Sequence, residues 1–262
     1  MKTEDVVRQL GPWRQKHRRP AWKPVVKKGD GAETESKFSG TPWIGEGAPW
    51  PECSVCEQPS QLFLQLNLGD LPAEVGGAFG MGLLQLFYCT SDSCAGQGGW
   101  APFEDNVSRV RVVHPSGPGL PTDVPQRPGY FPARRIVGWQ AISDMPSPAD
   151  HDDLGLVYTY DHKAGTTKLE CPELGLVFDD VRDGELAETL ASAAPGDKLG
   201  GWPCWVQGPE YPKCPRCATS MELVFQVDSE DNIPFMFGDV GCGHVTQCPG
   251  HKDVVAFGWA CS

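Results

Sequence analysis

The chain has 262 residues, of which 40% are hydrophobic, so it can form a sizeable folded core. It has no run of about 18 apolar residues that would form a membrane-spanning helix. The net charge is −12, but it is unevenly distributed, because residues 1–28 hold nine basic and two acidic side chains. Residues 29–262 therefore hold 13 basic and 32 acidic side chains, a net charge of −19. This charge repels nucleic acid and favours a basic protein partner.

Residues 1–35 predict a basic helix followed by an extended arm. Residues 3–10 (TEDVVRQL) have acidic side chains in their first turn and precede Gly11, which is typical of a short helix that ends there. Residues 22–28 predict a strand, and because Pro24 has no N–H, we expect this strand at the edge of a sheet. The first residues lack the apolar core of a secretory signal, so we expect the protein in the cytoplasm, with no membrane association.

Two stretches of the chain share one pattern of residues. Residues 37–56 (KFSGTPWIGEGAPWPECSVC) align with residues 198–217 (KLGGWPCWVQGPEYPKCPRC) at a constant offset of 161 positions. The offset matches Lys37 with Lys198, Gly40 with Gly201, Pro42 with Pro203, Pro51 with Pro212, Cys53 with Cys214, Cys56 with Cys217, Leu62 with Leu223 and Gln65 with Gln226. After a two-residue shift, it matches Gly82 with Gly241, Cys89 with Cys248 and Trp100 with Trp259. The pattern predicts an internal duplication, with a first repeat at 36–103, a connecting segment at 104–197 and a second repeat at 198–262.

Short apolar segments between Gly- and Pro-rich stretches predict a chain dominated by strands. The predicted strands are residues 61–68, 83–88, 107–114, 133–141, 155–160, 221–227, 233–237 and 254–259. Residues 183–194 predict a helix, because Asp183 can cap its start and the Pro–Gly pair at 195–196 ends it. We therefore expect a strand-dominated α+β fold, in which two β-rich halves share one core over residues 36–262.

The spacing of cysteine and histidine predicts a zinc-ribbon-like site in each repeat. A Cys–x–x–Cys turn brings two thiolates to one ion, and a second ligand pair downstream completes a tetrahedral site. The first set is Cys53, Cys56, Cys89 and Cys94. The second set is Cys214, Cys217, Cys248 and His251. The fourth ligands of the two sets do not align.

Alternatives are open at these positions. A single Cys–x–x–Cys is also typical of a redox pair or of two buried thiols, but in a reducing compartment a duplicated one favours zinc. Cys242 and His244 lie near the second set and compete for a place in it. Because four protein ligands leave no position for water, we expect two structural zinc ions and no catalytic one.

Two glutamines, Gln65 and Gln226, each lie inside an apolar strand. A buried glutamine needs hydrogen-bond partners, and the nearest ones are the Gly–x–Pro turns at 40–42 and 201–203. We therefore expect both glutamines to hold these turns.

Seven segments of the chain occur in an order and spacing that mark a family. They are SKFSGTPW (36–43), CSVC followed by PSQLFLQLNLGDLP (59–72), GLLQLFYC (82–89), KLGGWPCWVQ (198–207), CPRCATSMELVFQVDSED (214–231), FGDVGCGHVTQCPGH (237–251) and VAFGWAC (255–261). Together they resemble the bacterial YwqG family, whose function is unknown, over residues 36–262. That family is distantly similar to the eukaryotic programmed-cell-death-2-like proteins. The resemblance implies a relation to chaperones that hold a nascent small-subunit ribosomal protein by its basic tail.

Two functions of different classes fit these residues. The first is a non-enzymatic, zinc-stabilised protein-binding module, a chaperone or adaptor for a basic polypeptide, because the body is acidic and no catalytic motif is present in the sequence. The alternative is a hydrolase that uses an acidic cluster, which would need a cleft that gathers these side chains. The cluster consists of Asp150, Asp152, Asp153 and Asp161.

Overall fold

A computed structural model describes residues 3–45, 48–96, 98–103, 106–119, 130–181 and 193–262. Its helices are α1 (Thr3–Gln9) and α2 (Gly11–His17). Its first strands are β1 (Arg19–Lys28), β2 (Lys37–Phe38), β3 (Gln61–Asn67), β4 (Leu83–Tyr88), β5 (Ser108–Val113) and β6 (Arg134–Asp144). They are followed by β7 (Val157–Asp161), β8 (Thr166–Cys171), β9 (Leu176–Val181), β10 (Lys198–Gly200), β11 (Glu222–Asp228), β12 (Cys242–Gln247) and β13 (Val255–Ala260).

Ten of the described strands form one antiparallel sheet. Their order is β13-β12-β11-β10-β1-β6-β2-β3-β4-β5. The two outer strands, β5 and β13, contact each other, so the sheet is nearly closed. The loop before β5 also pairs with β13, because the amides of Phe257 and Trp259 in β13 donate to the carbonyls of Pro102 (3.3 Å) and Gly99 (3.2 Å) in that loop. The prediction of a strand-dominated fold is confirmed.

The strand β1 lies at the centre of this sheet, so the prediction of an edge strand at residues 22–28 is wrong. β1 pairs with β6 over its whole length, but with the short β10 only at Ala21 and Trp22. Pro24 lies beyond the end of β10, where β1 has a strand on one side only. Its missing N–H therefore costs no pairing with β10 at that point.

Side chains from both ends of the sheet form one hydrophobic core. Phe38 of β2 lies 5.9 Å from Phe225 of β11, measured between ring centroids. Phe63 of β3 is 5.0 Å from Phe235 and 6.2 Å from Phe237, which belong to the loop between β11 and β12. Strands β3 and β4 are buried along almost their whole length, which explains their nearly continuous apolar sequences.

A smaller unit packs the two helices on a second sheet with the order β7-β8-β9. Val6 and Trp13 on the helices, and Leu10 between them, form a cluster with Leu169 and Phe178 of this sheet. The first helix ends near Gly11 as predicted, but a second helix begins at Gly11 itself, because Pro12 fits the first turn of a helix. In the described part of the chain, neither helix has the length and apolarity to cross a membrane.

Most predicted strands are confirmed, and the exceptions have physical reasons. Residues 233–237 form no strand, since Pro234 interrupts them, and Ile233 and Phe237 enter the core from a loop. The strand β12 is not predicted from the sequence, because its residues, CGHVTQ, are largely polar. In the structure it is fully buried and pairs with β11 and β13 on its two edges. β8 and β9 were also missed. The helix predicted at 183–194 falls almost entirely outside the described residues.

Candidate metal centres

Four thiols of the first half lie together at one end of β3 and β4. The sulfur of Cys53 is 3.8 Å from that of Cys94, and the sulfur of Cys56 is 3.6 Å from that of Cys89. All four sulfurs lie within 4.8 Å of one another, with Cys53 and Cys89 buried and the other two half-buried. Cys89 directly follows β4, and its amide donates to the carbonyl of Val107 (2.7 Å). The four cysteines of the first predicted set are therefore brought to one place.

The second half gathers three thiols and one imidazole in the same way. Nδ1 of His251 lies 3.7 Å from the sulfur of Cys214 and 3.6 Å from that of Cys248. The sulfurs of Cys217 and Cys248 are 3.6 Å apart, and all four ligand atoms lie within 4.8 Å of one another. The second predicted set is also brought together.

The two Cys–x–x–Cys turns have the same backbone hydrogen bonds. In each turn the first cysteine donates its amide to the carbonyl five residues ahead, at 2.9 Å in both. The residue after the second cysteine, Glu57 or Ala218, donates back to the carbonyl of the first cysteine at 2.9 or 2.8 Å. These two residues have φ values of 56° and 57°, a conformation that is uncommon for residues with a side chain. Each turn thus points both thiols to one side.

These distances fit one tetrahedral metal ion in each group. Zinc bonds of about 2.3 Å to sulfur place two thiolates about 3.8 Å apart across a tetrahedron, and a thiolate and an imidazole nitrogen about 3.6 Å apart. The five contacts given above are 3.6–3.8 Å, and the other pairs of ligand atoms in each group lie within 4.8 Å. All eleven cysteines are free thiols, so no disulfide joins the pairs. The residues present can hold a zinc ion in each half.

The thiols of the two groups have different electrostatic surroundings. Hydrogen bonds with the side chain and backbone of Thr219 lower the pKa of Cys217 to about 6, which favours its thiolate at neutral pH. Burial raises the pKa of Cys89, so this thiol needs a cation beside it to ionise. Sequence reasoning missed Thr219, although a hydroxyl residue two places after a Cys–x–x–Cys pair is a readable signal.

The competing residues Cys242 and His244 lie outside the second group. Both belong to β12, where the imidazole of His244 packs 4.7 Å from the ring of Trp205 and hydrogen-bonds the backbone of Cys204. In the described part of the chain, the residues that converge in the second half are those with Cys248 and His251. The geometry therefore favours the set chosen from the sequence.

The two strand glutamines hold the predicted turns. Oε1 of Gln65 accepts from the amide of Trp43 (3.1 Å), and Oε1 of Gln226 accepts from the amide of Cys204 (2.8 Å). Each donor amide directly follows a Gly–x–Pro turn, so this prediction is confirmed. The glutamines also donate to the segment before β2 or β10, since Gln65 Nε2 binds the carbonyl of Glu35 (2.9 Å).

A buried lysine stands beside each of these glutamines, in register with it. Lys37 pairs with Gln65 between β2 and β3, and Lys198 pairs with Gln226 between β10 and β11. Each ammonium group binds a carboxylate at 2.8 Å, that of Asp30 or of Asp144. These carboxylates also accept the amides of Thr41 and Trp202 in the two turns. No local signal marks Asp144, because it is 54 residues from its lysine.

One aligned pair of the sequence comparison is wrong. Trp259 lies in β13, whereas Trp100 lies in the loop that packs over Gly258. The other pairs after the shift hold their places, since Gly82 and Gly241 each directly precede a strand, and Cys89 and Cys248 each directly follow one. The alignment fails at Trp100 because the connections after the two cysteines differ in length.

Of the four acidic residues between 150 and 161, Asp150 and Asp153 line one cavity, whereas Asp152 and Asp161 are not part of its lining. Asp150 is buried and accepts hydrogen bonds from Tyr211 and Trp205, whereas Asp161 is exposed and accepts the amides of Lys163 and Ala164 in a turn. Asp152 and Asp153 are exposed on a short 3₁₀ turn.

A family model described as a domain of unknown function (DUF1963) matches residues 36–247. No curated protein matches the chain.

Proposed function

The chain belongs to the DUF1963 family, a domain family of unknown function, and we propose that it is a zinc-stabilised protein-binding module that holds a basic polypeptide segment in the cytoplasm. In this proposal, both zinc ions are structural and no substrate is turned over. The observation that carries the proposal is the convergence of two complete four-ligand sets, each with contacts of 3.6–3.8 Å.

A closed set of ligands supports a structural role for the metal. The four protein ligands of each group fill the positions of a tetrahedron, so that water or substrate finds no place on the ion. Each group also joins segments that are distant in the chain, since Cys53 and Cys94 are 41 residues apart and Cys214 and His251 are 37 apart. Metal binding would thus tie the Cys–x–x–Cys turn to the end of the neighbouring strand.

We further infer that the two halves arose by internal duplication. The support is local and repeated: the same turn bonds, the same glutamine and lysine contacts, and a register shift after Leu62 in β3 and after Leu223 in β11. The strand order is also symmetric about the β1–β6 pair, because β2-β3-β4-β5 and β10-β11-β12-β13 follow in sequence on its two sides. A YwqG-like domain related to programmed-cell-death-2-like chaperones is the matching proposal for its ancestry.

The distribution of acidic residues supports a basic partner, and it favours the first half of the chain as the surface that binds this partner. Residues 38–108 contain no Lys, Arg or His, but eight Asp or Glu. Three of these acids are exposed and lie beside the first metal group: Glu52, Glu57 and Asp92. Four thiolates around one zinc ion would add a further net charge of −2. The second half instead neutralises one of its acids locally, because Arg216 pairs with Asp253.

Some of the basic residues at the beginning of the chain have partners within the fold. Lys16 pairs with Glu173 at 2.6 Å, Lys23 donates to the carbonyl of Pro195, and β1 lies in the middle of the sheet. Residues 19–28 therefore belong to the sheet and are not a free arm that could cover the acidic face of the first half.

Elemental analysis tests the metal part of this proposal. Full-length protein purified without added metal is expected to contain two equivalents of zinc per chain. Protein that is folded and contains no zinc would overturn the metal assignment.

A peptide titration tests the partner part separately. A twelve-residue peptide rich in Lys and Arg is expected to bind the protein, and an acidic peptide of the same length is not. The double variant Glu52→Lys/Glu57→Lys should bind the basic peptide at least about tenfold more weakly, whereas Asp152→Lys, an exposed change in the connecting segment, should not. Equal loss in both variants would place the contact elsewhere, and no binding by the native protein would overturn the proposal.

A further inference from the structure

A cavity of about 400 Å³ lies between the beginning of β1, the second Cys–x–x–Cys turn and the 3₁₀ turns at 148–154. Its walls include Arg19, Asp150, Trp202, Tyr211, Met221 and Glu222. The cavity thus combines aromatic and apolar surface with charges of both signs, and this volume is within the range of small-molecule sites.

Asp150 lines this cavity with a carboxylate that is only half satisfied. The residue is 3% exposed, and its Oδ1 accepts from Tyr211 Oη (3.0 Å) and Trp205 Nε1 (3.3 Å). Its Oδ2 is buried and has no hydrogen-bond partner among the described residues. Burial raises the pKa of Asp150, which reflects the cost of holding this charge away from water. A buried carboxylate oxygen without a donor is uncommon in folded proteins, and a cationic donor would offset that cost.

Arg19 offers the opposite charge at the same cavity. Its guanidinium carbon lies 3.3 Å from the centroid of the Trp202 ring, so the indole fixes the plane of the group. No hydrogen bond or ion pair links this guanidinium to another residue in the described ranges. An arginine fixed in this way can bind a carboxylate through two parallel N–H donors.

The corresponding cavity of the first half has no such unpaired charges. It measures about 320 Å³ and is lined by Thr41, Trp50 and Gln61, which stand 161 positions before Trp202, Tyr211 and Glu222. There the polar groups have partners within the protein. Oε1 of Gln61 accepts from the amide of Phe131 (2.5 Å), and Nε1 of Trp50 donates to the carbonyl of Ser60 (2.9 Å).

We propose that the second cavity binds a small zwitterion with an apolar body, that is, an amino acid or a short peptide with free termini. The ammonium group of the ligand donates to the carboxylate of Asp150, and the carboxylate of the ligand accepts from Arg19. The apolar side chain lies against Tyr211 and Met221. A ligand with both charges uses Asp150 and Arg19 together. Asp153 and Glu222 also line the cavity and add to the attraction for the ammonium group, so Arg19 is the group that selects for the carboxylate. This site is distinct from the acidic face proposed for the basic partner.

Calorimetric titration of the full chain with defined probes tests this proposal. L-Phenylalanine and the dipeptide glycyl-phenylalanine distinguish a free amino acid from a short peptide as the ligand, because the distance between ammonium and carboxylate differs in the two probes. Phenylalaninamide lacks the carboxylate, and N-acetyl-phenylalanine lacks the ammonium group. We expect saturable binding of at least one zwitterion, and at least about tenfold weaker binding of both blocked forms.

Matched variants locate the binding. Arg19→Gln and Asp150→Asn are expected to weaken zwitterion binding about tenfold or more. Their controls are Arg18→Gln and Asp152→Asn, which change neighbouring exposed residues outside the cavity and should bind as the native protein does. Thermal unfolding of each variant checks that it is folded. Absence of saturable heat with both zwitterions, or equal binding of the blocked forms, would overturn the proposal.

Discussion

Nζ of Lys198 lies 2.8 Å from Oδ2 of Asp144, and neither side chain is exposed to solvent. Burial lowers the pKa of Lys198, and the charge of Asp144 opposes that shift. The matching pair in the first half has the same 2.8 Å distance, but the Asp30 side chain is 36% exposed while Lys37 is fully buried. One arrangement of charges therefore exists in two environments.

Asp144→Asn is expected to destabilise the protein much more than Asp30→Asn. Removing Asp144 leaves a buried ammonium group without its counter-ion, which typically costs about 3–5 kcal/mol in the free energy of unfolding. Asp30 is 36% exposed, so solvent already screens its charge, and Lys37 keeps its hydrogen bond to the carbonyl of Thr41. The loss in the free energy of unfolding should therefore be smaller. Urea unfolding of both variants measures the difference. Equal losses would show that burial does not set the strength of these pairs.

Cys214→Ser is expected to remove one of two zinc ions and to unfold the C-terminal half. Structural zinc contributes on the order of 10 kcal/mol in small zinc domains, which is as large as the total stability of a typical domain. Cys261→Ser, which changes a cysteine outside both groups, should keep both ions and the native unfolding temperature. Zinc analysis and thermal unfolding check this result. A Cys214→Ser protein with two zinc ions would contradict the ligand assignment.

His244→Gln is expected to make the protein less sensitive to acid. Burial lowers the pKa of His244 from 6.5 to about 3, so below pH 6.5 the unfolded chain takes up a proton that the folded chain does not. Stability is thus lost as the pH falls from 6.5 towards 3, by at most about 1.4 kcal/mol per pH unit. Glutamine is a suitable replacement, because Gln85 at the matching position of β4 donates to the carbonyl of Trp43 (2.7 Å).

Urea unfolding at pH 7.0, 6.5 and 5.5, with zinc content checked at each pH, measures this effect. Between pH 6.5 and 5.5, the native protein should lose about 1 kcal/mol more than the variant. The comparison with the variant cancels the contributions of the other titrating groups. Parallel curves for the two proteins would refute a neutral, buried His244.

Binding of a basic peptide is expected to weaken steeply with salt. The acidic face of residues 38–108 attracts such a peptide through exposed charges, which are screened over about 8 Å at physiological ionic strength. The association rate should fall most, since long-range attraction acts on the encounter. Stopped-flow measurements at 20 and 150 mM salt check this prediction. An association rate that ignores salt would contradict it.

Local patterns in the sequence were sufficient to predict the metal groups. Cys53, Cys56, Cys214 and Cys217 are placed by short turns, whose geometry depends on neighbouring residues alone. The remaining ligands follow from the strands that end beside those turns, and the apolar runs of β3 and β4 are readable because both faces are buried.

Features that depend on distant partners could not be predicted in this way. The place of β1 is decided by its pairing with β6 and β10, which lie more than 100 residues away in the chain. The polar strand β12 is stabilised by its two neighbours rather than by its own propensity. The hydrogen bonds of Asp150 with Trp205 and Tyr211 join the connecting segment to the second half, over 55 and 61 positions, so no local pattern predicts them.

The central position of β1 has a consequence for how the chain folds during synthesis. This strand leaves the ribosome early, but its neighbour β10 follows only after about 170 further residues. The second metal group, at residues 214–251, is synthesised later still. The edge of β1 that faces β10 stays open for that time, and pairing across such sequence distances is slow. The first half, with β2 to β5 and its own cysteine group, can close before then. We therefore expect folding in two stages, with the nascent chain vulnerable to aggregation until residues 198–260 have emerged.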